Sequence, residues 1–265
     1  MPAISVIMSV KNGANMLDRS ISSILNQTFL DFEFIICDDG STDNTLDILK
    51  KYREQDSRII VLHNDESQGL AYSLNKCIEV SHSNILARQD ADDWSDEKRF
   101  EIQYPFVINH PEYAIVGTQW YNVTGDGSIK TSDVKTCPTA KDQIKGGLYM
   151  HPSWMMRKDM VEKVGYYTVN KYTLRSQDYH LVMKVLGAGM KLYNMREKLY
   201  YYTVDTNTMK RHLNWKRVSG LMWIRWDSYR RNRLPIWCYI FILKPVVTNI
   251  LPKSLMMWYY RKSSK

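Results

Sequence analysis

The apolar positions of this chain change period along its length, and those changes divide it. Ile4-Ser5-Val6-Ile7-Met8-Ser9-Val10 is a short apolar run stopped by Lys11-Asn12-Gly13, the pattern of a buried strand and a turn. Leu17, Ile21, Ile24 and Leu25 then fall at helical spacing. Phe32–Cys37 predicts a second strand, followed by Asp38-Asp39-Gly40-Ser41-Thr42-Asp43. Ser41 or Thr42 can cap a helix whose stripe is Leu46, Leu49 and Tyr52. Ile59–Leu62 predicts a third strand, and Gln68-Gly69 opens a helix with Leu70, Leu74, Cys77 and Ile78 on one face. Ile85–Gln89 predicts a fourth strand, Arg99–Ile108 a helix ended near Pro111, and Ala114–Thr118 a fifth strand. This alternation at βαβ lengths predicts an α/β fold: a Rossmann-like, mostly parallel sheet with helices on both faces. Ligands of such sheets bind outside the carboxyl ends of the strands.

Past Tyr121 the period weakens. Asn122–Pro138 is polar and turn-rich, His151–Met156 predicts a short extended piece, and Asp159–Val164 a short helix. Ser176-Gln177-Asp178 precedes a helix with Leu181, Val182, Val185 and Leu186, stopped by Gly187-Ala188-Gly189. Asp178 lies three, four and seven positions before Leu181, Val182 and Val185, so it shares their buried face at the first turn. An acid on an inward face needs a reason; complementing the helix dipole is the plain one. From Lys198 the chain turns aromatic and basic. Asn214–Arg233 carries Trp215, Val218, Met222, Trp226 and Tyr229 at helix-compatible spacing. Leu234–Leu243 is apolar but stops at Lys244-Pro245, well short of the roughly 20 residues of a membrane span.

Charge sharpens this division. The 265 residues carry a net +8, yet residues 196–265 hold 15 Lys/Arg against 3 Asp/Glu, and the rest of the chain is net acidic. That argues against a nucleic-acid groove across the main domain and for an anionic partner at the C-terminus. Trp258-Tyr259-Tyr260-Arg261-Lys262 adds a composition suited to a membrane interface, an anionic membrane surface being the expected partner. Packing of these aromatics against the domain, or against a second copy of the chain in a homodimer, competes with it. Cys37, Cys77, Cys137 and Cys238 form no C-x-x-C, so no disulfide framework or zinc site is expected and a cytoplasmic setting fits. The start of the chain reads as a strand, not a signal peptide.

The chemistry concentrates in Arg88-Gln89-Asp90-Ala91-Asp92-Asp93-Trp94, three carboxylates within four positions directly after a predicted strand. Like charges this close call for a cation or protons. Oxygen-only ligands suit Mg²⁺ or Mn²⁺, which pair one or two carboxylates with substrate phosphates. The spacing does not fit an EF-hand, which wants a ligand and a Gly where Trp94 and Ser95 stand. An acidic loop capping the next helix is the plainer alternative. That Asp38-Asp39 also falls at a predicted strand end favours one shared site.

Several segments in order resemble the family 2 inverting glycosyltransferases: Ser5–Gly13, Ser22–Phe29, Asp38–Asp43, Asn64–Gly69, Ala87–Asp93, His151-Pro152-Ser153 and Gln177-Asp178. The resemblance spans about residues 3–205 and is closest to short bacterial enzymes of capsule, O-antigen and exopolysaccharide assembly. It implies a GT-A fold over residues 1–205, with a nucleotide-sugar half (1–121) and an acceptor half (122–205), followed by a helical, basic, membrane-associating or packing segment (206–265). It implies a nucleoside-diphosphate sugar donor, by preference UDP-linked, Mn²⁺ or Mg²⁺, and inversion. The acceptor it implies is a glycan, lipid-linked on a polyprenyl diphosphate, reached at the inner face of the cell membrane. By motif position Asp39 accepts from the base, with Ser9, Val10, Asn12, Gly69, Arg88 and Ala91 around the nucleotide. Asp90 lies at ribose and metal, Asp92 is the main metal ligand, and Asp178 is the catalytic base. Asp93, His151 and Gln177 fall near the acceptor or behind the ligands. Gln177 replaces a usual Glu, and Asp205 stands where many relatives carry a His.

The residues also bound other readings. A dinucleotide-binding dehydrogenase should show G-x-G-x-x-G after the first strand, where Lys11-Asn12-Gly13-Ala14-Asn15 stands. A metal-dependent nucleotide-sugar hydrolase, or an inactive binding module, would use the same donor site.

Overall fold

In a computed structural model, residues 1–144, 149–173, 176–204 and 214–250 are described. The expected βαβ alternation opens the chain as β1 (Ile4–Val10), α1 (Leu17–Leu25), β2 (Phe32–Asp38), α2 (Thr45–Gln55), β3 (Ile59–His63), α3 (Leu70–Val80) and β4 (Ile85–Arg88). β5 (Trp94–Ser95), α4 (Arg99–Asn109), β6 (Tyr113–Thr124) and β7 (Ile129–Thr131) follow. The second half holds β8 (Met155–Arg157), α5 (Lys158–Lys163), α6 (Gln177–Gly187), β9 (Lys191–Val204), α7 (Trp215–Arg231) and α8 (Lys244–Ile250).

Among the described residues these strands form one sheet in the order β3-β2-β1-β4-β8-β6-β9-β5, with β7 on β6. β3, β2, β1 and β4 are parallel, as is the long β6–β9 ladder. β8 is antiparallel to both β4 and β6 and joins the two parallel blocks. The two-residue side-chain period explains the layers. Val6, Met8 and Val10 of β1 pack with Leu17, Ile21 and Ile24 of α1, Leu49 of α2 and Phe100 of α4. Ile7 points the other way, to Leu74 and Cys77 of α3 and Leu181, Val182 and Val185 of α6. Burial on both faces is why β1 and β2 read as continuous apolar runs.

The second half departs from the expectation. His151–Ser153 is a 3-10 turn, not extended, and only Met155–Arg157 is strand. Ala114–Thr118 is the core of a strand twelve residues long, and fourteen-residue β9 pairs along it. The full length of β6 and the whole of β9 were not legible, because the register breaks between Gly117 and Gln119 and again before Trp120 and β9 mixes charged and aromatic residues. The cysteines form no disulfide.

Candidate functional site

The carboxyl ends of β2, β1 and β4 share one edge of the sheet, and each feeds a loop. Asn12 takes the left-handed conformation (φ 51°) that its short polar side chain tolerates. Its N–H donates to Ser41 Oγ (2.9 Å) and its Oδ1 accepts from Thr42 N–H (2.8 Å). Gly13 N–H donates to Thr45 Oγ1 (2.9 Å). The β1 and β2 loops are therefore stitched into one floor. Val10 is buried and Ser9 half-buried within it, and Val10 O accepts from Asp39 N–H (2.8 Å).

Asp39 is the hub of this floor. Its Oδ1 accepts from Asn64 Nδ2, Gln68 N–H and Ser73 Oγ, and its Oδ2 from Ser67 Oγ and Gly69 N–H, all at 2.8–2.9 Å. Burial alone would raise its pKa, but these bonds outweigh it and hold the carboxylate below its usual range. Gly40 lets the segment approach: at φ 64°, a Cβ there would lie 2.8 Å from Glu66 C and Ser67 N. Gly69 (φ 89°) opens α3.

Two strands over, roughly 10 Å at ordinary strand spacing, the β4 end carries the acids. Asp90, Asp92 and Asp93 each present a carboxylate oxygen, all within 4.8 Å of one another. Arg88, wholly buried, pairs with Asp90 and also donates to Gln89 O. Arg99, equally buried, donates to Arg88 O (3.0 Å) and Ser95 Oγ (2.9 Å), and burial draws its pKa down to about 10. Asp92 is exposed and Asp93 buried, with Ala91 buried between them and Asp90. Although Asp92 is exposed to solvent, the protein crowded around its carboxylate partly desolvates it, and this and then Asp90 raise its pKa. The same causes, with Asp92 added, raise Asp93 well above the usual range. Asp93 Oδ1 accepts from Thr203 N–H (2.7 Å), while its buried Oδ2 has no hydrogen-bond partner among the described residues. Three converging hard oxygens, mutual repulsion and an unmatched buried oxygen fit a divalent cation of the Mg²⁺ or Mn²⁺ kind.

Asp178 lies in the first turn of α6, half-buried. Burial raises its pKa against the Tyr179 N–H, and Asp90 and Arg88 both act on it electrostatically, so it belongs to the same field as the acid cluster. Gln177 beside it is buried. His151 is buried, with Nε2 2.7 Å from the Tyr167 hydroxyl and its ring edge-on to Trp154. Burial and the nearby Arg88 push its pKa well below the usual value, so it is a neutral partner of Tyr167. Asp205 lies outside the described residues.

The glycosyl transferase family 2 model matches residues 5–165. The chain belongs to that family. It is 33% identical over 262 residues to Bacillus subtilis EpsE, covering 98% of this chain and 94% of EpsE. To the Escherichia coli O-antigen biosynthesis glycosyltransferase WbnJ it is 29% identical over 254 residues, covering 94% and 92%. To the Escherichia coli UDP-Glc:alpha-D-GlcNAc-diphosphoundecaprenol beta-1,3-glucosyltransferase WfaP it is 26% identical over 209 residues, covering 79% and 80%. Among solved structures, Staphylococcus aureus TarS (residues 1–349) with UDP-GlcNAc superposes with TM-score 0.71 at 18% identity, over 93% of this chain and 71% of that one. The Pyrobaculum calidifontis mannosyltransferase PcManGT with GDP-Man and Mn²⁺ gives TM-score 0.65 at 15% identity, over 99% and 80%. The fold is GT-A and the chain is a glycosyltransferase.

Within this family member, several site residues carried no sequence signal. Thr203 Oγ1 donates to Asp92 O (2.6 Å), and Arg19 reaches both Thr203 Oγ1 (3.2 Å) and the Trp94 ring (3.6 Å). Tyr200 OH accepts from Asp90 N–H (3.2 Å). Tyr200 and Thr203 lie on β9, about 110 positions from the acids, and nothing local marks them. Asn64 and Ser67 lie in a segment that the resemblance marked, but their part, and that of Ser73, shows only in their bonds to Asp39.

Proposed function

We propose that this enzyme moves a sugar from a UDP-sugar to a hydroxyl of a lipid-linked glycan in bacterial surface polysaccharide biosynthesis, with inversion. The observation that supports this is the Asp90–Asp92–Asp93 cluster after β4, with Asp178 near enough for Asp90 and Arg88 to act on its carboxylate. An acceptor hydroxyl is a poor nucleophile, so a base must take its proton as it attacks. Asp178 is that base. The acceptor oxygen attacks the anomeric carbon from one side, its proton goes to Asp178, and the bond to the diphosphate breaks on the other side. The departing UDP takes the electron pair. Asp90, Asp92 and Asp93 would hold Mn²⁺ or Mg²⁺, which offsets the charge growing on the leaving diphosphate.

The floor formed by Val10, Asn12 and Asp39, with Ser9 and Gly69 at its margin, accepts the nucleoside. Its distance of two strands from the acids suits a base at one end and a diphosphate at the other. Buried Arg88 fixes Asp90 beside the nucleotide. UDP-GlcNAc in TarS and the diphosphoundecaprenol acceptor named for WfaP support the donor and acceptor classes. A lipid acceptor places the enzyme at the inner face of the membrane.

The test is UDP release from a panel of UDP-sugars with Mn²⁺, with and without a polyprenyl-diphosphate-linked sugar, and proton NMR of the new linkage. Release that needs the acceptor, with an inverted product, is expected. Equal release without acceptor would make the protein a hydrolase, and no release with any donor would make it a binding module.

A further inference from the structure

The 3-10 helix Ile236–Leu243 runs directly into α8, and its apolar side chains divide between two directions. Cys238 is buried, and Tyr239 and Ile242 pack with Met183 of α6 and Tyr229 of α7. Ile236, Ile240, Leu243, Val247 and Ile250 are exposed, from 51% for Leu243 and Val247 to 84% for Ile236. They recur every three or four residues through the 3-10 helix and α8, and their shared exposure makes them one outward apolar band. Trp237 and Phe241 flank it, and Trp226 on α7 is also exposed. An outward apolar surface of this size marks an interaction site.

The charge around it selects the partner. Residues 214–250 carry seven Lys/Arg and one acid, Asp227. Asp227 is buried and spent on His180 (2.9 Å) and Arg231 (2.5 Å). Lys216, Arg230, Arg231 and Arg233 are exposed, and Arg230 and Lys141 sit over the Trp226 and Trp237 rings. Two copies joined through this stripe would bring like charges together, whereas an anionic bilayer complements them. Tryptophan with basic residues beside an apolar stripe is the make-up of an interfacial helix. Among the described residues no helix is long and apolar enough to cross a membrane.

We infer that Ile236–Ile250 is a monotopic docking element that lies in the surface of an anionic membrane with its Ile236-Ile240-Leu243-Val247-Ile250 stripe in the acyl boundary. The element is tied to the catalytic half through α6. His180 on α6 bonds Asp227 on α7, and Tyr172 stacks on Trp223 (5.4 Å). Since Asp178 lies in the first turn of α6, docking sets the height of that carboxylate above the lipid surface. This last consequence rests on the glycosyl-transfer reading, but the docking itself does not.

The test is flotation of the full chain with phosphatidylcholine vesicles, with and without phosphatidylglycerol, at low and high salt. Binding that needs the anionic lipid and weakens with salt is expected. Ile236→Glu/Ile240→Glu, at two exposed positions, should lower the vesicle partition coefficient by about tenfold or more. Its thermal unfolding and its turnover of a soluble acceptor analogue should be unchanged. Arg230→Gln/Arg233→Gln should lower binding to anionic vesicles alone. Equal flotation of wild type and the Ile236→Glu/Ile240→Glu variant would overturn the inference, as would no binding to anionic vesicles. A wild-type dimer that this double variant turns into monomer would assign the stripe to a second copy instead. Flotation needs no turnover, so this result and the outcome of the UDP-release assay are independent.

Discussion

The backbone N–H of Thr203 donates to Asp93 Oδ1 at 2.7 Å, and its hydroxyl donates to Asp92 O at 2.6 Å. One residue at the end of β9 thus holds two consecutive acids of a loop formed 110 positions earlier. Thr203→Val keeps the N–H and removes the hydroxyl, the loss of one bond worth about 1 kcal/mol. Mn²⁺ affinity should fall roughly fivefold on the same reckoning, and Thr203→Ser should restore it. Unchanged Mn²⁺ titration of the valine variant would show that this hydroxyl does not shape the acid loop.

The donor and acceptor sides should separate by mutation. Asp92→Asn should nearly abolish turnover and weaken Mn²⁺-dependent donor binding while the fold survives. Asp178→Asn should bind donor normally and lose roughly 10²–10⁴ in kcat, the usual contribution of a general base. Calorimetric donor titration beside single-turnover kinetics reads both. Loss of donor binding in Asp178→Asn, with turnover of bound donor intact, would reverse the assignment.

The acid limb of the rate profile should report the environment of Asp178. Burial raises its pKa, and a base works only when ionised. Log kcat should therefore fall as pH drops through a value above the ordinary aspartate range near about 3.9. Rates at saturating donor and acceptor across pH give the midpoint. One at or below the ordinary value would indicate that a different group limits the rate.

Asp39 supports structure as well as nucleotide. Asp39→Asn would turn an amide NH₂ toward donors from the 64–73 segment. One donor left unmatched costs about 1–3 kcal/mol. A lower Tm, together with faster amide exchange at Gln68 and Gly69, is expected even without ligand. A variant with wild-type Tm and weakened donor binding alone would make Asp39 a ligand-binding residue only.

The α6–α7 contact should fail in acid. Burial would raise Asp227, but its bonds to Arg231 and His180 hold it below the usual range. Its contribution is thus present above the unfolded carboxylate value and is lost as pH falls through the lower folded one. Burial lowers His180, so the unfolded chain takes up that proton first, and stability also declines as pH falls below about 6.5. Asp227→Asn should cost about 1–3 kcal/mol near neutrality and reduce the pH dependence at the acid end. Denaturant midpoints from pH 7 downward measure it, and parallel curves for the two proteins would rule the pair out as the source.

How much was legible follows from the range of each signal. The strands from Ile4 to Arg88 and the helices between them could be read because their apolar period is local and repeats over a few residues. The acids at Asp90–Asp93 and Asp178 on its helix start were marked by the same local logic, charge clustering and an acid on an apolar face. The sequence likewise determined that the C-terminal part is basic and aromatic.

Tertiary structure alone decided the rest, because the deciding partners are distant in the chain. The resemblance set Arg88 beside the nucleotide, but only the fold shows it buried and paired with Asp90. The resemblance set His151 near the acceptor or behind the ligands, and only burial near Arg88 shows it as a neutral partner of Tyr167. Thr203 and Tyr200 meet the acids only because β9 pairs with both β5 and β6, a juxtaposition of segments about 110 residues apart that no short-range pattern encodes. The apolar run Leu234–Leu243 has the same composition whether its stripe faces inward or out. Packing of Cys238, Tyr239 and Ile242 against α6 and α7 occupied one side, and that choice left Ile236 and Ile240 facing outward.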